Sequence, residues 1–478
     1  MITFLCCLAL LVCAYFSYGK YLDKVARIDD KADVPSAKLY DGVDYVPMPR
    51  WRTFLIQLLN IAGTGPIFGA ILGACYGPVA FLWITFGGIF MGAMHDYLSG
   101  VILVRNEGLS ITEIVARYLG KGAGLFMRIF SIILLLLVGV VFIVSPADIL
   151  TAKFDILSKG WWLGIIIVYY FIATLLPVDK IIGKLYPIFG LALLVMAVGI
   201  LVVLLTQSDK YGIPELTSLR NMIADAKKFP IVPMLFTTIA CGAISGFHAT
   251  QSPLMARCIT NEKQSRSIFY GAMIAESIIA LIWAAIAMAF WGGVEGLNEA
   301  ISANKGNAAV LVDMIATETL GPTIATLVII GVIACAITSG DTAFRSARLI
   351  VADFLHIEQK SLRKRIYISL PLFAAGLFII FALPFQTIWS YFAWCNQTLA
   401  AITLWAIVAY LAKRRKPQII ALIPALFMSY VCTSYMFVSP LMFGLENRAL
   451  AYILGGVVTI IITIAVALRI RKNYGKAE

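Results

Sequence analysis

A chain of 478 residues that is 61% hydrophobic and only 13% charged does not have the composition of a soluble domain, in which about a quarter of residues are charged. Its net charge of +12 does not point to nucleic acid either, because such a partner needs a basic face on a soluble surface. The basic residues here sit in short segments between long apolar runs, so the charge reports membrane orientation.

A bilayer-spanning helix needs roughly 20 mostly apolar residues, and about thirteen such runs cover most of the chain. The first, 2–18, has no basic residue ahead of it and no small-x-small cleavage pattern, while Lys20, Lys24 and Arg27 follow it. It reads as a retained helix with its N-terminus outside. The charged stretch 19–50 comes next, and its Asp41-Gly42-Val43-Asp44-Tyr45-Val46-Pro47 reads as an ordered turn.

Spans are then expected over 52–75, 79–104, 122–144, 161–177 and 186–206. A second set covers 231–256, 267–291, 321–352, 366–383 and 386–411, and two more close the chain at 418–439 and 449–470. The expected organisation is therefore an N-terminal extra helix with its cytoplasmic segment (1–50), a first five-helix repeat (51–206), a second, inverted repeat (207–411) and two additional helices (412–478). With this threading, 30 of the basic residues fall on the Lys20 side of the membrane and 8 on the other. The positive-inside rule then puts the Lys413-Arg414-Arg415-Lys416 run and the C-terminus in the cytoplasm.

The nine cysteines lie in or beside the apolar runs, as Cys6, Cys7, Cys241, Cys335 and Cys432 do, without the paired spacing of a disulfide or zinc framework. They read as small packing residues. No metal site and no cofactor beyond a coupling ion, H⁺ or Na⁺, is expected.

Each five-helix set opens with an interrupted span. The first carries Gly63-Thr64-Gly65-Pro66 and the second Ser245-Gly246-Phe247-His248, followed by Gln251-Ser252-Pro253. Because five is odd, the second set enters from the opposite side, so an inverted repeat brings the two breaks into equivalent places, as in many secondary transporters. Unwound backbone survives at membrane depth only where it is buried in protein or lines a polar cavity. Counted from Arg52, residues 63 to 66 lie roughly 17 to 21 Å along their helix. A half-helix starting after Pro66 therefore aims free amides and positive dipole at mid-membrane, where a carboxylate is stabilised and unwound carbonyls can hold a cation. Glycine-rich packing or a simple proline kink is the competing explanation of either break.

These segments resemble the carbon starvation protein (CstA) family of peptide and pyruvate transporters. The resemblance is carried by Asp41-Gly42-Val43-Asp44-Tyr45-Val46-Pro47, by Ile61-Ala62-Gly63-Thr64-Gly65-Pro66-Ile67-Phe68-Gly69, and by Gly92-Ala93-Met94-His95-Asp96. Cys241-Gly242-Ala243-Ile244-Ser245-Gly246-Phe247-His248-Ala249 and Trp389-Ser390-Tyr391-Phe392 through Asn396-Gln397 continue it in the same order. It implies an all-α polytopic fold of the LeuT type, within the amino acid, polyamine and organocation transporters, with a 5+5 inverted repeat and uptake coupled to an ion gradient. The chain differs from longer family members by being shorter toward the C-terminus and by His95, where some carry Gln. The family divides between peptides and pyruvate.

Ionisable residues inside spans are functional candidates by default. Asp96, Glu276 and Asp341 all fall in the cytoplasmic half, and Arg345 stands one helical turn beyond Asp341. They are read as a proton route or inner gate, with simple charge neutralisation as the alternative. His248 lies in the second break, where an imidazole can bond a carboxylate or change charge near neutral pH. His95 is a weaker candidate and His356 reads as a solvated loop residue.

The expected substrate residues are Gly63, Thr64, Gly65, Ser245, Gly246, His248, Asn396 and Gln397, the last two also suited to cementing helices. Thr338 and Ser339, with carbonyls near Ala62 and Gly65, are a possible Na⁺ site by analogy with the related fold, although hydroxyls in such helices commonly bond their own backbone.

An intramembrane protease would need a cluster such as His-Glu-x-x-His, and none of the 3 histidines stands in that spacing, so no enzyme is expected. A channel would show a filter repeated around an axis and a sensor would add a signalling domain. Neither pattern is visible. The reading is of a bacterial inner-membrane importer of a small carboxylate-bearing nutrient, with lipid and solute as its partners and no nucleic acid.

Overall fold

Main-chain amides and carbonyls find no partner in hydrocarbon, so a chain this apolar must satisfy them within helices or a closed barrel. Every regular element here is helical, and no strand occurs among the described residues. The computed structural model describes residues 1–42, 44–154, 156–175, 178–359 and 361–474. Val43 of the expected turn, the last two residues of the expected span 161–177, and the basic Lys360 and Lys476 lie outside them. The turn itself forms: the Asp41 carboxylate accepts the amides of Asp44 and Tyr45, both at 2.9 Å.

Among the described residues, ten helices are long and apolar enough to cross a membrane, or eleven when one bent pair is taken as a single span. The two remaining expected spans fall on Lys159–Leu175, a shorter apolar helix, and on the interrupted segment 231–256. The expected count of about thirteen rests on those two.

The chain opens with α1 (Ile2–Phe16) and α2 (Tyr18–Ala26). Phe4, Cys7, Leu11 and Ala14 form the one buried stripe of α1, at the three-and-four spacing of a helix that packs on a single side. The bent pair follows, α3 (Arg50–Ala62) and α4 (Gly65–Ala74), inclined by 48°. Next, α5 (Val79–Arg105) contains a wide-turned π-helical stretch, Trp83–Ala93, immediately before His95 and Asp96. Such bulges commonly mark functional positions. The short α6 (Ile111–Leu119) begins at a capping box formed by Ser110 and Glu113, which satisfies orphan amides reciprocally. Then come α7 (Lys121–Lys153), α8 (Lys159–Leu175) and α9 (Val178–Thr206).

After 207–230, which form no helix, the second set contains α10 (Gly246–Ala256), α11 (Gly271–Phe290), α12 (Val294–Ala303), α13 (Ala308–Phe354), α14 (Leu362–Ala382) and α15 (Phe385–Lys413). α16 (Ile419–Val438) and α17 (Arg448–Tyr474) end the chain. The span expected from 321 begins where α13 is kinked, at Gly321 with φ 75° ahead of Pro322. Its first thirteen residues, 308–320, are a helical entry that apolarity alone did not delimit.

Most of α5, α11 and α15 is buried, whereas 2–26, α14 and α17 keep most of their surface exposed. The bundle thus has inner helices surrounding the two interruptions and outer helices facing lipid.

The second interruption is not where glycine and hydroxyl residues suggested. Helix α10 is continuous through His248, Gln251 and Pro253, and the unwound backbone is 239–245, just upstream. Ser245 is its last extended residue, at φ −144° and ψ 126°. Pro253 stands eight residues into the half-helix, whose C-cap amide at Arg257 finds the carbonyls of Met255 and Pro253.

Candidate functional site

Gly63 turns the first break. Its φ of 51° and ψ of −141° belong to backbone that glycine adopts without strain, and a Cβ there would lie 2.3 Å from the Phe142 ring. Two residues on, a Cβ at Gly65 would lie 2.4 Å from Cys241 Sγ. The two breaks therefore touch, with the first residue of α4 against the unwound strand that precedes α10. A Cβ at Gly246 would meet Ala400 N at 2.4 Å, which seats the start of α10 directly on α15.

Asn396 fixes that start. Its Oδ1 accepts from Ser245 Oγ at 3.0 Å and from the Phe247 amide at 2.7 Å, capping the half-helix from a neighbouring one. Gln397 does the same for the other half, donating from Nε2 to the Phe236 carbonyl at 2.9 Å. Both are placed as cement between helices. Ser245 is spent in the same network.

The capped α10 then holds His248 in its first turn, fully buried, opposite Asp96 of α5 and Glu276 of α11. Asp96 Oδ2 lies 2.7 Å from His248 Nδ1, and Asp96 Oδ1 lies 2.7 Å from His95 Nδ1. An ionised carboxylate only accepts, so each Nδ1–H donates to Asp96. His248 Nε2 then faces Glu276 Oε2 at 3.3 Å, close enough for an ion pair but out of line for a hydrogen bond. Neither carboxylate oxygen of Glu276 has a hydrogen-bond partner among the described residues. Four titratable groups from three elements, all wholly buried, thus form one chain from His95 to Glu276.

Cys241 completes the surroundings. Its sulfur, a His248 ring nitrogen and a Glu276 oxygen all lie within 4.8 Å of one another, so these three are the residues that can hold a metal ion. Asp96 would then orient the imidazole from behind, as carboxylates do behind metal-bound histidines. Bond lengths near 2.1 Å imply ligand separations of roughly 3.5 Å around a tetrahedral ion, tighter than this spread. At 3.3 Å a small re-aiming of either side chain would bring His248 Nε2 into line with Glu276 for proton transfer.

Asp341 and Arg345 pair at 3.7 Å along α13, and Arg345 Nη2 donates to the Ala173 carbonyl of α8 at 2.6 Å. This anchors the pair on the α8 side of α13. Ser339 Oγ donates to the carbonyl of Leu59 at 3.0 Å and Cys335 Sγ approaches Gly63 O at 3.2 Å, so α13 does cover the end of α3. The carbonyls Ser339 meets, Leu59 and Asn60, lie one turn before the expected Ala62 and Gly65. Thr338 Oγ1 bonds the Cys335 carbonyl of its own helix at 2.9 Å.

Thr64 is fully buried at the first break, and its hydroxyl has no hydrogen-bond partner among the described residues. Asn60 is its counterpart one turn earlier: wholly buried, with both amide atoms unmatched. An unmatched buried polar atom costs about 1–3 kcal/mol, so these two side chains are the groups best placed to receive a polar solute. An amide in an apolar run one turn before a glycine break is the sequence signal that marks Asn60. Cys241 was read as packing because a cysteine in an apolar run ordinarily is.

The profile of the family Carbon starvation protein CstA matches residues 1–154, 144–300 and 292–435. The chain belongs to this family. A membrane protein of unknown activity from Haemophilus influenzae is 44% identical over 352 residues, covering 63% of the chain and 95% of that protein. The Escherichia coli peptide transporter CstA is 25% identical, over 88% of the chain and 78% of the relative. The pyruvate/proton symporter BtsT of the same organism is 27% identical over 56% of the chain and 46% of its own length. The family members with a stated activity are transporters, not enzymes.

Among solved structures, the Eremococcus coleocola manganese transporter matches with a TM-score of 0.57 at 12% identity, over 91% of the chain and 99% of that protein. The transporter MhsT in complex with L-phenylalanine matches at 0.56 and 14% identity, over 89% of the chain and 99% of MhsT. At these identities the likeness is one of fold. The fold is of the LeuT type, an all-helical bundle with two interrupted helices.

Proposed function

We propose that this CstA-family chain imports a small carboxylate-bearing nutrient, a short peptide, an amino acid or pyruvate, together with a proton. The observation that carries the reading is the sealed chain His95, Asp96, His248 and Glu276 beside two touching backbone breaks. A buried carboxylate facing an imidazole with nothing else to bond is poised to gain or lose a proton when a helix moves, because burial makes an isolated charge costly. Asn60 and Thr64, with the free amides at the start of α4, supply polar groups for the solute carboxylate.

Coupling to a proton fits this geometry better than coupling to sodium. The hydroxyl of Ser339 is engaged with the Leu59 carbonyl and that of Thr338 with its own helix, whereas Glu276 has no hydrogen-bond partner among the described residues. A channel or nutrient sensor has no need for a titratable chain sealed from water. In this reading the two repeats rock about the site, and the basic face carrying Lys20 lies in the cytoplasm of a bacterial cell, with the N-terminus outside.

The test is uptake into liposomes of labelled pyruvate, alanine and a dipeptide, in parallel, under an imposed proton or sodium gradient. Accumulation of one of them driven by the proton gradient is expected. Accumulation that follows only sodium would overturn the coupling assignment.

A further inference from the structure

Where α1 crosses α3 and α11, two hollows share a wall. One, about 460 Å³, is apolar, lined by Val12 and Phe16 of α1, Phe54 of α3 and Ile274, Ala275 and Ile278 of α11. The other, about 550 Å³, is lined by Lys24, Arg27, Arg50, Lys263 and Arg266 against a single carboxylate, Asp23. Tyr15, Arg50 and Ser267 line both, so they form one continuous groove.

Its dimensions and charge identify what fits. From Ser267, which also lines the basic hollow, to Ile278 of α11 is ~16 Å, which is half of the roughly 30 Å hydrocarbon thickness, so the whole groove is about one leaflet long. The basic part lies at the end of that leaflet. Trp51, which lines the groove and is largely exposed, sits at the same level, where aromatic residues mark the membrane interface. Asp23 is engaged by Arg266 at 2.7 Å and Lys263 pairs with Asp30 at 2.5 Å. Among the described residues Lys24, Arg27 and Arg50 have no ion-pair partner, while Arg50 Nε donates to Ser267 Oγ at 2.8 Å. Three uncompensated cations over an apolar slot complement a phosphate carrying an acyl chain, as basic pockets between membrane helices do.

We infer that this groove is a binding site for one anionic phospholipid, held with its headgroup at Lys24, Arg27 and Arg50 and one acyl chain between α1 and α11. The lipid thereby ties the outer helix α1 to the helix that bears Glu276.

The experiment is native mass spectrometry of the full-length protein released from bilayers of equal parts phosphatidylcholine and phosphatidylglycerol. The wild type should retain one phosphatidylglycerol at least tenfold over phosphatidylcholine, and Lys24→Gln with Arg50→Gln should bring the ratio to near one. Ala275→Trp, which fills the slot without touching charge, should also lose the adduct. If the double variant does not fold, the wild type decides: its preference should fall severalfold between 0.1 and 1 M salt, as the screening length shrinks from about 10 to about 3 Å. Equal retention of both lipids by the wild type, an unchanged ratio in the variants, or displacement by soluble glycerol phosphate would overturn the site.

Discussion

Asp96 and His248 are 152 residues apart in sequence and 2.7 Å apart in space, and their contact joins α5 to α10. Because His95 takes the other oxygen of the same carboxylate, Asp96 has no freedom to rotate. His248 is therefore held with Nε2 toward Glu276. A movement of α5 relative to α10 would stretch this contact, which would tie a change of protonation to a change of access.

Asp96→Asn keeps the shape and removes the charge. It should abolish gradient-driven accumulation in proteoliposomes while leaving exchange of labelled for unlabelled solute partly intact. Removing one partner of a buried pair costs about 3–5 kcal/mol, so thermal unfolding of the purified variant should also shift downward. Accumulation at the wild-type level would remove Asp96 from the mechanism.

Glu276→Gln should lower proton-driven accumulation at least tenfold with a smaller drop in unfolding temperature than Asp96→Asn, since Glu276 gives up one ion-pair contact to His248 at 3.3 Å and no hydrogen bond among the described residues. The comparison with Asp96→Asn is informative: both variants should lose coupling, with the larger loss of stability in Asp96→Asn.

Gly65→Ala drives a methyl group into Cys241, at 2.4 Å from its sulfur and 2.6 Å from its Cβ. Overpacking of this kind costs about 1–3 kcal/mol, and yield and transport should both fall. Adding Cys241→Gly removes the clashing atoms, so the double variant should recover folded protein, measured as monodisperse material by size exclusion. No recovery would show that the two breaks do not touch there.

Asn396→Ala removes the cap of α10. A lost cap costs about 1 kcal/mol, up to about 2, which should appear as a lower unfolding temperature. Because the cap also positions His248, half-maximal transport should need a larger proton gradient.

Much of the fold was legible because membrane physics leaves long apolar runs few alternatives, and the basic residues between them repeat the same threading. Asp96, His248 and Glu276 stood out for the same reason: a titratable group in an apolar run must have a partner. Their mutual contacts were not legible, since Cys241, His248 and Glu276 reach one another only through tertiary packing. The second break was misplaced by a few residues because Ile239, Ala240, Cys241, Gly242, Ala243 and Ile244 compose a good membrane helix. What unwinds that stretch is contact with α4 and α5, seen at Gly65 and in the bond from Trp83 Nε1 to the Ile239 carbonyl. Asn396 and Gln397 were expected to touch solute or cement helices, and the second role is the one their bonds support.

The most direct measurement of the central claim is substrate-elicited proton entry, followed with a pH-sensitive dye trapped in proteoliposomes of wild type and Glu276→Gln, with sodium absent. Addition of the transported solute should acidify the wild-type lumen and leave that of Glu276→Gln unchanged. Equal acidification in both, or solute entry without any acidification in the wild type, would contradict a proton path through Asp96, His248 and Glu276.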